Sequence, residues 1–151
     1  MSYGQYVHSR REVLALAAAA SLAMPAAAHA TPERVAEEIK KLFGGKKPVP
    51  GKIKLDLPSI AENGLVVPLG FEVESPMTDK DYVKSVYLFA EGNPSVGLAA
   101  YHFTPMIPKA AVAVRIRLAK TQEIIAVAEM SNGELFTARK EVKVTIGGCG
   151  G

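Results

Sequence analysis

One stretch of the sequence has the makings of chemistry: Gly147-Gly148-Cys149-Gly150-Gly151, where the only cysteine sits between two pairs of glycines. A thiolate is the strongest nucleophile that ordinary side chains offer near neutral pH. The flanking glycines add no bulk and resist ordering, so the spacing predicts a thin, mobile arm over residues 147–151. Fully extended, such an arm spans roughly 16 Å at about 3.3 Å per residue. That is enough to lower a sulfur atom into a narrow cleft of another protein.

The same stretch holds no group that would activate the thiol. No His or Lys lies within it, and the carboxylate of Gly151 disfavours a nearby negative charge. An unperturbed thiol with a pKa of about 8.5 is only a few per cent ionised at neutral pH. A thiol enzyme brings its own base, whereas a carrier borrows activation from the enzymes it visits. The pattern therefore favours a group carrier with Cys149 as the attachment point and Gly147, Gly148, Gly150 and Gly151 supplying reach. Two other readings stay open. One is a binding module whose odd cysteine joins two copies in a disulfide-linked homodimer; the other is a thiol enzyme that finds its base elsewhere, at His102 or Lys143.

Metal and cofactor chemistry has little to build on. Of the three histidines, His8 and His29 precede residue 31, leaving His102. One His and one Cys cannot close a structural zinc site, and there is no Cys-x-x-Cys-His for covalent haem. No metal and no cofactor of its own is expected. The formal charge is only +3 and both signs are spread along the chain, which argues against a nucleic-acid partner.

Residues 1–30 read as a cleaved export signal. Arg10 and Arg11 in Ser9-Arg10-Arg11-Glu12-Val13-Leu14 form a twin-arginine pattern, followed by an alanine-rich apolar run. Ala28-His29-Ala30 then offers a small-residue cleavage site at Ala28 and Ala30. The run is too short to span a bilayer and Pro25 ends it, so no membrane attachment is expected after cleavage. Losing this leader, with Arg10, Arg11 and Glu12, lowers the formal charge by one.

Elements must then hold the arm. Thr31-Pro32-Glu33 is a helix start, with an N-cap, a proline at the first helical position and an acid at the positive end of the dipole. Val35, Ile39, Leu42 and Phe43 make one apolar stripe, and Gly44-Gly45 closes a short amphipathic helix within residues 31–45. Beyond Lys52 the period changes to two. Ile53, Leu55 and Leu57 alternate with polar residues; Leu65, Val67, Leu69, Phe71 and Val73 recur at every second position, as do Val112, Val114, Ile116 and Leu118.

Pro68 removes a backbone donor, which predicts an edge strand or a bulge there. Apolar runs over 81–90, 97–103 and 123–130 add strands, and Asn132-Gly133 marks a hairpin leading to Leu135–Arg139. A last strand, Val142 to Ile146, feeds into the arm. Strands of this length and spacing over 52–146 predict an all-β, immunoglobulin-like antiparallel β-sandwich. The Ala-rich strands over 110–119 and 124–130 are the candidates for a sheet face that a partner covers.

Several segments resemble the SoxY family of sulfur carriers in bacterial thiosulfate oxidation. They are Ala61-Glu62-Asn63-Gly64-Leu65-Val66-Val67-Pro68, Ser75-Pro76-Met77-Thr78, Tyr82-Val83-Lys84, Leu88-Phe89-Ala90-Glu91-Gly92-Asn93-Pro94, Phe103-Thr104-Pro105, Arg115 to Leu118, Thr121-Gln122 and Met130-Ser131-Asn132-Gly133. The series ends in Val144-Thr145-Ile146 and the Gly-Gly-Cys-Gly-Gly arm.

The resemblance implies a periplasmic protein exported by the twin-arginine route as a heterodimer with SoxZ. It implies that Cys149 carries a thiosulfate or sulfane-sulfur adduct. A haem c enzyme would load the thiosulfate, a manganese hydrolase would release sulfate, and a molybdenum-haem dehydrogenase would oxidise what remains. Those cofactors belong to the visiting enzymes. One departure is in the leader, where Val13 and Ala15 stand at positions at which twin-arginine signals often have Phe and Lys.

Overall fold

The computed structural model describes residues 29–147, which contain one helix and nine strands. Helix α1 runs from Pro32 to Leu42. Thr31 caps it, its Oγ1 accepting from the Arg34 N–H, with Glu33 in the first turn and Lys40 and Lys41 in the last. The strands are β1 (Val49–Pro50), β2 (Ile53–Asp56), β3 (Ile60–Asn63), β4 (Val67–Val73), β5 (Val83–Ala90), β6 (Gly97–His102), β7 (Ala110–Ile116), β8 (Gln122–Met130) and β9 (Leu135–Ile146).

Two sheets enclose the main core. The larger has the order β1-β9-β8-β5-β6 with β3 also on β9, and the smaller is β2-β4-β7. Val67, Leu69, Phe71 and Val73 of β4 face Val86, Leu88, Ile124, Ala126 and Ala128 of the large sheet, all essentially buried. Burying one such side chain is worth about 1.5–3 kcal/mol, so this interdigitation is the main stabilising element.

The chain weaves between the layers at its start, with β1 and β3 in the large sheet and β2 and β4 in the small one. The first crossing uses Gly51 and Lys52, both at positive φ (136° and 57°). Lys52 keeps its ammonium 4.6 Å from the Phe136 ring centroid, a cation–π contact that accompanies this left-handed conformation.

Three findings refine the expected antiparallel sandwich. First, β1 and β3 both join β9 in parallel, in tandem along its outer edge. They shield an edge that would otherwise expose unpaired backbone groups. Second, β9 is a single strand of twelve residues through Arg139-Lys140-Glu141, where the sequence suggests a break. Arg139 is held by Glu123 at 3.1 Å and Glu91 at 3.7 Å, so its charge is neutralised across the strands. Third, β4 lies between β2 and β7 and is not an edge strand. Pro68 nevertheless sits beyond the end of β2, whose pairing stops at Asp56 opposite Gly70, so only β7 flanks it.

The Asn-Gly hairpin forms with a three-residue loop. Gly133 donates to the Met130 carbonyl, Met130 N–H donates to Glu134 O, and Gly133 has φ of 82°. This is a type I turn followed by a glycine bulge.

A second small core lies on the outside of the large sheet, where Val35 and Ile39 of α1 pack on Phe89, Ile125 and Val127. Phe43 meets Tyr87 edge-on at 5.4 Å. Strand β8 is thus covered on both faces and nearly every residue in it is buried. That overturns residues 124–130 as an open partner-binding face: the run is apolar because the helix lies over it. On β7 the outward Ala111, Ala113 and Arg115 do stay exposed. Among the described residues no helix is long and apolar enough to cross a membrane.

Candidate functional site: the root of the cysteine arm

Of the residues singled out from sequence, Arg10, Arg11, Ala28, Gly148, Cys149, Gly150 and Gly151 lie outside the described residues. Ala30 is buried, and its N–H donates to the Asn93 carbonyl at 2.9 Å. Gly147 is the last described residue and follows directly on Ile146, the end of β9. What the structure defines is therefore the end of β9, two residues before Cys149 in the sequence.

The antiparallel partner of β9 runs out before the strand does. Pairing with β8 stops at Val142 opposite Gln122, yet β9 continues to Ile146. Other segments take over. On one side β3 pairs in parallel, with Ala61 opposite Val144 and Asn63 opposite Ile146, and the Gly64 N–H donates to the Ile146 carbonyl at 2.8 Å. On the other, Thr121 Oγ1 accepts from the Val144 N–H at 2.9 Å. The Gly64 carbonyl accepts from Leu118 N–H at 2.8 Å, which ties the turn after β3 to the segment after β7. The root is held on one side up to Ile146, next to Gly147, and on the other up to Val144.

A buried amide pair fixes the segment on which this depends. Asn93 donates through Nδ2 to the Arg117 carbonyl at 2.8 Å, and its Oδ1 accepts from the Ala119 N–H at 3.0 Å and from Gln122 Nε2 at 2.8 Å. Gln122 Nε2 also donates to the Lys120 carbonyl, and its Oε1 accepts from the Gly92 N–H at 2.8 Å. Among the described residues no buried side-chain nitrogen or oxygen lacks a partner. A fully satisfied network of this kind rigidifies what it joins.

Gly147 rests against this segment. A Cβ built there would collide with the Ala119 carbonyl oxygen. The obstacle is backbone, so it cannot yield as a side-chain tip would. This glycine is thus needed for close approach, a role beyond the reach assigned from sequence. In Gly147→Ala we expect the end of β9 to lift from Ala119. Stability should fall by less than about 1 kcal/mol, because the change is confined to the end of β9. The Gly64 amide, which bonds to Ile146, should exchange with solvent markedly faster than in the parent. Unchanged exchange at Gly64 would refute the close-packed root.

The charges near the root are mixed. Arg117, Lys120 and Lys143 are exposed there, with Glu62 on β3. Further along, burial pushes the Glu91 carboxyl above its ordinary pKa, the Glu123 carboxylate adds to the rise, and Arg139 opposes it.

His102 is too far away to activate the thiol of its own chain. It pairs with Ser85, which pairs with Glu129, which pairs with Leu135 at the opposite end of β9 from Ile146. Residues 135 and 146 stand roughly 36 Å apart along the strand at about 3.3 Å per residue. Cys149 follows Gly147 by two residues, a reach of about 7 Å. Lys143, on the arm's own strand, stays within range. Among the described residues no group of three or more His, Cys, Asp or Glu side chains could hold a metal ion.

The residues missed from sequence are Asn93, Thr121, Gln122, Ala119 and Gly64. Asn93-Pro94 looks like an ordinary turn, and Gln122 like a polar residue opening a strand. Their partnership spans 29 positions, and no local pattern announces it. Their segments, with Asn63-Gly64 and Val144 to Gly147, are among those that carry the family resemblance, and the fold brings them together at the root.

The family model for the sulfur oxidation protein SoxY matches residues 39–149, ending on the cysteine. The chain belongs to the SoxY family. No curated protein sequence matches it. The structure of the sulfur carrier protein SoxY from Chlorobium limicola f thiosulfatophilum is similar at 30% identity and a TM-score of 0.63, over 77% of this chain and all of that one. A superoxide reductase (neelaredoxin) from Ignicoccus hospitalis is similar at 22% identity and a TM-score of 0.56, over 77% of this chain and 94% of that one. A putative superoxide reductase from Thermotoga maritima is similar at 18% identity and a TM-score of 0.54, over 68% and 89%. These two likenesses show a shared fold. The SoxY match adds the family and, with it, a sulfur-carrier role.

Proposed function

We propose that this protein carries thiosulfate-derived sulfur covalently on Cys149 and presents it to the enzymes that oxidise it. The observation that carries the reading is the SoxY family match running through residue 149, set on a mount held rigid to Gly147. In the loading step the Cys149 sulfur bonds to the sulfane sulfur of thiosulfate. Two electrons and the thiol proton leave, the electrons passing to the haem c enzyme that the resemblance assigns to this step. Water then cleaves the terminal sulfonate, which departs as sulfate and leaves a persulfide on Cys149.

The chain's own part is mechanical. Its immunoglobulin-like sandwich holds the arm at a fixed point, and the activation of the thiol comes from the enzymes visited, so the protein is not itself an enzyme. It acts in the periplasm after twin-arginine export, as a heterodimer with SoxZ. Supporting the carrier over a thiol enzyme is the distance of His102 from the root. A reductant-labile mass on Cys149, in protein taken from cells growing on thiosulfate, tests the reading.

A further inference from the structure

The arm is short measured from its mount. Cys149 lies two residues beyond Gly147, so its Cα travels no more than about 7 Å from that point. An active site that takes the sulfur must therefore bring the lip of its cleft down onto the root itself. The surface it meets is unusual for a solvated protein end. Ile146 is 68% exposed, Val66 55% and Leu65 38%. They are neighbours: Gly64 donates to the Ile146 carbonyl, and Leu65 and Val66 follow it. Leu65 is set in place by its N–H, which donates to Asn63 Oδ1 at 2.9 Å. Apolar side chains gathered at one exposed spot mark an interaction surface. Charged residues of both signs, Arg117, Lys120, Lys143 and Glu62, are exposed on the segments that meet at the root.

We propose that Ile146, Leu65 and Val66 form the docking rim for the sulfate-releasing hydrolase that receives Cys149, against a cleft mouth that is apolar at its lip. The inference rests on the carrier reading and adds where the contact falls. The arm's length selects this occupant, because an enzyme seated elsewhere on the surface leaves Cys149 out of reach. The contact is small and mostly apolar, which suits an encounter that must release after each step.

The test uses the carrier with its heterodimer partner, loaded with thiosulfate at Cys149 and titrated against the purified sulfate-releasing hydrolase. In Leu65→Ser/Val66→Ser, KM for the carrier should rise about tenfold with kcat nearly unchanged, a loss typical of truncated interface anchors. Ile146→Ser, which leaves the turn intact, should act in the same direction. Met106→Ser, a 93% exposed site on the loop before β7 at the far end of the sheets, should match the parent. An unchanged melting temperature and unchanged reaction of Cys149 with a small aromatic disulfide show that fold and thiol are intact. An unchanged KM in the rim variants overturns the proposal while leaving the carrier reading in place. Loss of heterodimer assembly also overturns it, by assigning the rim to the partner subunit. Sulfate release that persists with Cys149→Ser sinks the carrier reading itself.

Discussion

With Cys149 replaced by serine, the reconstituted thiosulfate-oxidising system should fall to the rate seen with no carrier present, while the protein still folds and still binds its partners. The substitution exchanges one atom beyond the last residue of β9, so the melting temperature should be unchanged. The chemistry is what disappears. A sulfur atom can bond to the sulfane sulfur of thiosulfate and later release it, whereas a serine hydroxyl keeps its proton at neutral pH and forms no such exchangeable link. The loss should be complete rather than graded, because every later step acts on the same covalent adduct. A module that works only through noncovalent binding would retain its activity in this variant. Full turnover with Cys149→Ser would therefore remove the covalent role.

The second large effect is structural. Asn93→Ala should cost about 3 kcal/mol and lower the melting temperature by about 10 °C. The side chain bonds to the Arg117 carbonyl, the Ala119 N–H and Gln122 Nε2, and it is 9% exposed. Truncation leaves those partners in a site that water enters poorly, and each unpaired buried polar group costs about 1–3 kcal/mol. Asn93→Asp keeps an acceptor toward Ala119 and Gln122 but sets a carboxylate oxygen against the Arg117 carbonyl and buries a charge, so it should destabilise at least as much as the alanine variant. Thermal melts check both. A loss under about 1 kcal/mol in the alanine variant would mean that the segment from Arg117 to Gln122 holds its shape without the amide pair. The alanine variant should also expose the Gly64 amide to exchange, since Leu118 joins that segment to the turn after β3.

Much of this architecture can be read from the chain because the local signals agree with the tertiary ones. Thr31-Pro32-Glu33 starts the helix where a cap and a proline say it should. Leu69, Phe71 and Val73 alternate because one face of β4 meets the core and the other meets solvent. The signal fails where long-range packing decides. Ile124 to Ala128 looks like an open sheet face until α1 covers it. Ile60 to Asn63 shows no alternation and becomes a strand only because the end of β9 needs a parallel partner. Arg139 to Glu141 looks like a break because the partners of Arg139 lie far along the chain, Glu123 on β8 and Glu91 just beyond β5. At the site, the cysteine and its glycines are conspicuous in sequence. The mount is not, since Asn93, Gln122 and Gly64 matter through partners far along the chain.

The central claim is that Cys149 holds sulfur covalently during turnover. Its most direct measurement is the intact mass of the protein purified from cells oxidising thiosulfate, with the C-terminal peptide mapped before and after a reductant. The carrier reading predicts added mass on the peptide containing Cys149, equal to sulfane sulfur or thiosulfate, that the reductant removes. A bare thiol on that peptide, or only a disulfide between two copies of Cys149, would contradict it.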